Sequence, residues 1–316
     1  TQHDQLVAED YARLEGMDIR TVREGMRWHL IDRGRRMDFS SLLPMVKAAE
    51  QHGIQVIWNL CHYGWPEDVN LFTSGFVERF ARYCGAVARL ISEQTDTVPF
   101  YVPINEISFL AWATGEQGYI FPYARGKGEE IKQQLIRAAI AGMEAIWEVD
   151  PRARMIQVDP VIHVIPPKGH PELARAAADQ RARQFDAWDM LTGGLDPTLG
   201  GHPRYLDVIG VNFYHSNEWE YPNQRLRWED VPRDRRWIPL RYLLAEVFAK
   251  YGLTDKAIER LFALAKGETD GSLRAEAVRQ QLSERDRNVA RARRHVDDEV
   301  VDVFPEDVPK ELLDRA

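Results

Sequence analysis

Five apolar runs separated by long amphipathic segments predict an α/β protein built on a parallel sheet covered on both faces. The runs are residues 19–28, 54–60, 98–104, 155–165 and 206–214, of which all but the first are mostly apolar, as strands buried on both sides must be. Polar groups stand at four of their ends: His62, Asn105 with Glu106, Asp159, and Asn212 with Tyr214. Such a ring of strand-end groups fits the mouth of a barrel, and no GxGxxG turn follows the first run to argue for an open dinucleotide-binding sheet.

Taken in order, residues 6–16 carry Leu6, Val7, Tyr11 and Leu14 at helical spacing with Gly16 as a stop, and the first strand follows. Ser40 or Ser41 is placed to cap a helix running to Gly53, which delivers the strand 54–60. Thr73 or Ser74 starts the next helix, whose apolar face is Phe76, Phe80, Tyr83, Val87, Leu90 and Ile91. A loop over 114–128 leads to a long helix ending near Asp150-Pro151. The strand 155–165 then breaks at Pro166-Pro167, and a helix over 172–191 precedes the fifth strand.

Beyond Pro239 the pattern changes. Segments 239–252, 254–267 and 272–294 read as capped helices, only 300–304 has extended character, and Pro305 and Pro309 break up the rest. The expected organisation is a barrel domain over 1–238 and a divergent all-helical segment over 239–316. A single α/β barrel fills about 250 residues, so 316 residues fit one domain plus an extra piece.

Composition excludes several function classes. A net charge of −8, spread along the chain, and a pI near 5.7 oppose nucleic-acid binding. Cys61 and Cys84 have no metal or redox spacing and read as reduced core residues. The start has no basic or apolar leader and no window approaches the ~18 apolar residues of a membrane span, so a soluble, cytoplasmic protein is expected. Opening on Thr1 instead of Met suggests a trimmed chain.

Glu106 is the first acid after seven residues of buried-strand character. A carboxyl at an apolar strand tip suits general acid catalysis, with Asn105 beside it to hold a substrate hydroxyl. The plainer reading is a Glu in a salt bridge with an arginine. His29, His62, His163 and His215 near strand ends raise a metal-dependent barrel hydrolase as a rival, although no HxH pair is present. Trp58, Trp65, Trp112 and Trp219 include candidates for sugar stacking, Trp65 and Trp112 foremost because they lie just past strand ends. The Arg-rich stretch 225–241 reads as a solvated loop.

The chain resembles glycoside hydrolase family 1, the β-glucosidase-like barrels of clan A. Ile104-Asn105-Glu106 matches the family's fourth-strand Asn-Glu, whose Glu is the acid/base, and Thr114-Gly115-Glu116 echoes the loop after it. Leu60-Cys61-His62-Tyr63-Gly64-Trp65-Pro66 looks like the third-strand Leu-Tyr-His-Trp-x-x-Pro, which implies that His62 touches a sugar hydroxyl. Asp207 to Ser216 looks like the sixth strand, in which Tyr214 would hydrogen-bond the nucleophile, and Arg23 looks like the second-strand Arg that supports it.

The resemblance implies a TIM (β/α)8-type barrel, legible from its second to its sixth strand, and retaining β-glycosidase activity without cofactor or metal. The partner would be a small glycoside or oligosaccharide. Ile107 stands where the family has Pro, and neither the first strand with its sugar-binding Gln nor the Thr-Glu-Asn-Gly of the nucleophile is recognisable. Glu268-Thr269-Asp270-Gly271 is the nearest string, although Gly267 before it reads as a helix stop. Glu24 is a spare carboxylate whose side chain should point opposite to Arg23. A carbohydrate- or partner-binding barrel without turnover is the alternative.

Overall fold

The computed structural model describes residues 3–226, 236, 238 and 240–252. They form two compact units: one from the chain up to Pro160 with Ala182–Asn212, the other from Val161–Arg181 and the chain after Asn212. The strands are β1 (Thr21–Gly25), β2 (Gln55–Cys61), β3 (Phe100–Ile104), β4 (Arg154–Pro160), β5 (His163–Ile165), β6 (Val208–Asn212), β7 (Glu218–Glu220) and β8 (Gln224–Arg225). The α-helices are α1 (His3–Gly16), α2 (Trp28–Ile31), α3 (Leu43–His52), α4 (Ser74–Gln94), α5 (Ile107–Ala111), α6 (Gly128–Trp147), α7 (Ala174–Ala182), α8 (Asp186–Thr192) and α9 (Leu240–Lys250).

In the first unit five strands pair in parallel in the order β1-β2-β3-β4-β6, the five that the apolar runs predict. The sheet is curled. β1 and β6 are its opposite edges, yet Arg23 on β1 donates from Nη1 to Asn212 Oδ1 on β6 at 3.4 Å. Neighbouring strands lie about 4.8 Å apart, so four such steps can be spanned by two side chains only if the strand ends bend toward one another. Among the described residues the result is part of a barrel, whose carboxyl strand ends converge.

Helix α4 shows why the sequence folds this way. Phe76, Phe80, Tyr83, Val87 and Ile91 recur three or four residues apart and are all 2% exposed or less. Trp28, just past β1, inserts its indole among Phe76, Phe80 and Tyr83 with ring centroids 5.0 to 5.5 Å apart. That packing ends the first strand at Gly25, short of the expected residue 28. Cys61 and Cys84 are free and buried, as their spacing suggested.

Three other expectations are revised. Neither Ser40 nor Ser41 caps α3, which begins at Leu43 with no side-chain cap. By contrast α4 does start at Ser74 after Thr73, as expected, although the Thr73 hydroxyl donates to Asn70 O at 3.0 Å and not to the helix. The single strand expected over 155–165 is two: β4 ends at Pro160, which has no N–H to extend a ladder, and β5 belongs to the second unit. The helix expected over 172–191 is likewise broken into α7 and α8 with 3₁₀ turns beside them.

In the second unit β5 pairs in parallel with β7, and β8 is antiparallel to β7. Glu218 is fully buried there and accepts the Ile238 amide at 2.9 Å. Of the helices expected after Pro239, the first is observed as α9; the others, and Glu268, lie outside the described residues. No described helix is long and apolar enough to cross a membrane.

β6 must approach β4 closely to bring Asn212 inward, and Gly210 permits it. A Cβ built there would lie 2.5 Å from Val158 Cγ2 and 3.0 Å from Ile156 Cγ2. Gly210→Val is expected to lower stability by about 1–3 kcal/mol through overpacking, and to loosen the Asn212 contacts described next; urea unfolding of the variant checks the first effect.

Candidate active site

Glu106 sits one residue past Asn105 at the carboxyl end of β3, in the left-handed region at φ 51, ψ 63. A non-glycine residue adopts that conformation at a cost of order 1–3 kcal/mol, so the surroundings must enforce it. They do so on both sides: the Glu106 amide donates to Val158 O on β4 at 2.9 Å, and its carbonyl accepts the Leu110 amide at 2.7 Å to open α5. Asp159 on β4 adds a cap supplied by the neighbouring strand, accepting the Ser108 amide at 3.2 Å and the Ser108 hydroxyl at 2.7 Å.

The carboxylate of Glu106 is 5% exposed and clamped at each oxygen. Tyr63 donates its hydroxyl to Oε2, and Asn212 Nδ2 donates to Oε1 at 2.6 Å. These contacts, not an arginine salt bridge, hold it. Arg23 Nη2 donates to Asn105 Oδ1, and Asn212 Nδ2 reaches the same oxygen at 3.4 Å. Because a guanidinium only donates, the amide oxygens of Asn105 and Asn212 both face Arg23. Their NH₂ groups are thereby turned toward His62 and Glu106 respectively.

His62 completes the group, with Nε2 3.5 Å from Asn105 Nδ2 and Nδ1 2.8 Å from Asn59 Nδ2. Burial, reinforced by the Arg23 charge, holds its pKa below the usual imidazole range, against the attraction of Glu106. At neutral pH the ring is therefore uncharged and suited to hydrogen bonding. Arg23, His62, Asn105 and Glu106 are thus brought together. Tyr214 falls in the second unit and is 58% exposed.

Sequence reasoning missed Tyr63 as a partner of the acid. Its signal was available: it stands in the third-strand motif where the resemblance places Trp, and it too is left-handed, at φ 63. Asn212 was visible as a strand-end amide without its role. Glu24 does point away from Arg23, accepting the Tyr11 hydroxyl at 3.3 Å and facing His3 Nε2 at 3.0 Å. Among the described residues no three His, Cys, Asp or Glu side chains converge as a metal would require.

Asp159 is 1% exposed, and its pKa is raised from 3.8 to about 8, chiefly by burial and further by the charge of Glu106. The Ser108 hydrogen bonds and Lys132 oppose the shift. Folded Asp159 thus holds its proton across a window in which the unfolded chain has lost it, so stability falls as pH rises from about 4 to about 8. Asp159→Asn is expected to flatten a slope on the order of 1 kcal/mol per pH unit, as read from urea midpoints at pH 5, 6.5 and 8.

A ring of polar side chains at the carboxyl ends of curled parallel strands is the arrangement of the catalytic face of a (β/α) barrel. No family model and no curated protein matches the sequence. Solved structures do match in fold. A family 1 β-glucosidase from Thermotoga maritima, in complex with isofagomine lactam, superposes with a TM-score of 0.63 at 15% identity, over 78% of this chain and 63% of that one. The AHE enzyme from Alicyclobacillus herbarius gives 0.55 at 15% identity over 64% and 46%, and a β-glycosidase from Pyrococcus horikoshii 0.51 at 17% over 60% and 45%. The chain therefore spans from just under half to just under two thirds of these structures. It shares their barrel fold, which its described sheet represents with five parallel strands.

Proposed function

We propose that the chain hydrolyses β-glycosides with retention, Glu106 serving as acid/base. The observation that carries the reading is the clamped carboxylate at the tip of β3, with the Arg23–Asn105–His62 group beside it. Asn212 Nδ2 can only donate, whereas a tyrosine hydroxyl both donates and accepts. A protonated Glu106 therefore carries its proton on Oε2. From there it is given to the leaving-group oxygen, which takes the place of the Tyr63 hydroxyl, and the resulting carboxylate then activates water. Asn105 and neutral His62 hold sugar hydroxyls in this scheme, and Arg23 and Tyr214 orient the nucleophile.

Retention needs a second carboxylate about 5–5.5 Å from the first. Asp159, the buried carboxyl whose pKa the charge of Glu106 helps to raise, is sealed in the interior and committed to α5. The nucleophile is assigned instead to the segment after residue 252, where Glu268 is the candidate. The sealing of Asp159 also favours a second reading, a carbohydrate-binding barrel without turnover. A 2-deoxy-2-fluoro-β-glycoside followed by peptide mapping separates the two: a labelled carboxylate supports hydrolysis, while sugar binding with neither label nor turnover overturns it.

A further inference from the structure

The connection from β1 to α3 carries a charge opposite to that of the chain. Residues 27–36 hold Arg27, His29, Arg33, Arg35 and Arg36 against a single acid, Asp32, in a protein of net charge −8. Asp32 is buried and turned inward, to Arg79 and Trp28. His29, Arg33, Arg35 and Arg36 are exposed. Burial lowers the pKa of His29, and Arg27 and Arg33 lower it further against the pull of Glu67, so these cations lie within electrostatic reach of one another. Asp38 bears on Arg33 and Arg36, but its carboxylate is engaged by Ser40, whose hydrogen bonds lower its pKa more than either arginine does.

Exposed arginines on a loose loop are ordinarily no more than a solvated surface; this group is held in place. Asp32 and Met37 pair as an antiparallel bridge, the Arg33 amide donates to Arg36 O at 3.0 Å, and Gly34 turns the chain in the left-handed region at φ 77. Helix α4 clamps the hairpin twice, through Arg79 on Asp32 and through Arg82 Nη2, which donates to Gly34 O at 2.7 Å. Arg79 also reaches Asp68 at 2.6 Å, tying the hairpin to the connection after β2 that carries His62 and Tyr63. A turn already fixed gives up little freedom on binding. This one stands among the loops at the carboxyl ends of the strands, the face that holds Glu106.

We infer that the hairpin Asp32–Met37 recognises acidic carbohydrate, Arg33, Arg35 and Arg36 taking carboxylate or sulfate groups of a glycan that extends across this face. Guanidinium suits such groups because its planar fork donates two parallel hydrogen bonds to one oxyanion. The carbohydrate part rests on the function proposed for the Glu106 site; the charge rests on the hairpin alone. Nucleic acid fits less well, because its affinity grows with each phosphate neutralised, and three arginines in a chain of net charge −8 neutralise few.

The test titrates the full-length protein, by calorimetry at about 0.15 M salt, with polygalacturonate, heparin, neutral dextran and double-stranded DNA. Binding is expected for at least one acidic glycan and not for dextran, and the tighter of the two names the group as carboxylate or sulfate. Arg33→Gln/Arg35→Gln/Arg36→Gln is expected to weaken it roughly tenfold or more, each exposed ion pair contributing up to about fivefold. Its Tm should be unchanged, since all three side chains lie in solvent. A control with the same change of charge, Arg89→Gln/Arg137→Gln/Arg175→Gln, is expected to bind as the parent does. No acidic-glycan binding, equal binding of dextran, affinity surviving in the hairpin variant, an equal loss in the control, or DNA bound more tightly than either glycan overturns the inference. Hydrolysis of p-nitrophenyl β-glucoside is read in parallel: turnover without acidic-glycan binding sinks the hairpin's role alone, and binding without turnover sinks the glycosidase alone.

Discussion

Glu106→Gln lowers kcat/KM for a β-glycoside with a poor leaving group by about 10²- to 10⁴-fold, roughly 3–5 kcal/mol of transition-state stabilisation. A dinitrophenyl glycoside, whose leaving group departs without protonation, loses far less in its first step. The substitution is unusually clean here. Glutamine keeps an oxygen for Asn212 Nδ2 to donate to, and its NH₂ can donate to the Tyr63 hydroxyl, which accepts as readily as it donates. The clamp, the left-handed backbone and the α5 start therefore persist, and only the transferable proton is gone. Equal losses for good and poor leaving groups, or unchanged rates for both, would remove Glu106 from the acid role. The comparison is a ratio within one variant, so a modest change in folded fraction does not disturb it.

How much of this was legible depends on how local each determinant is. Strands β2, β3, β4 and β6 were readable because each lies in a mostly apolar run, β1 only from its place between a glycine-ended helix and the next repeat, and Glu106 because it interrupts a run. The Arg23–Asn105–His62 group was readable only by resemblance: the contact joins β1 to β3 across β2, and nothing in the spacing of residues 23 and 105 encodes the curl of a sheet. Tyr63 went unrecognised because its value lies in a hydroxyl aimed at a carboxylate 43 residues away. The boundary at Pro160 failed for a different reason. Val161 to Ile165 is as apolar as β4, and only hydrogen bonding decides that residues 163–165 pair with β7 instead of extending β4. The serine caps failed because Ser40 takes an alternative bond, its amide donating to Asp38 at 3.1 Å, within the turn before the helix.

The largest stability effect is expected at Asp32, which no motif identifies. Its side chain is fully buried in the loop after α2 and accepts from Arg79 Nε at 2.8 Å, Arg79 Nη2 at 3.2 Å, Trp28 Nε1 at 3.2 Å and the Gly34 amide at 2.9 Å. Arg79, on α4, also reaches Asp68 at 2.6 Å and has its pKa raised, first of all by the Asp32 hydrogen bonds. Asp32→Ala removes the acceptor from a guanidinium only 15% exposed and from a buried indole N–H. Breaking a buried pair from one side costs about 3–5 kcal/mol, a fall in Tm on the order of 10 °C for a unit of this size. If the charge left on Arg79 is the main cost, Asp32→Leu/Arg79→Leu is less destabilised than Asp32→Ala, because the ions that then lose a partner, Asp68 and Arg82, are exposed and no buried one is left uncompensated. A double variant as unstable as the sum of its parts would instead assign the cost to lost packing around Trp28. The consequence reaches the candidate site through β1: among the described strands it is bonded to β2 alone, and the loop that Asp32 pins to α4 follows it after the single short helix α2. Loosening that anchor frees the strand carrying Arg23, so sugar affinity is expected to weaken in Asp32→Ala at temperatures well below its Tm, as calorimetry with glucose would show.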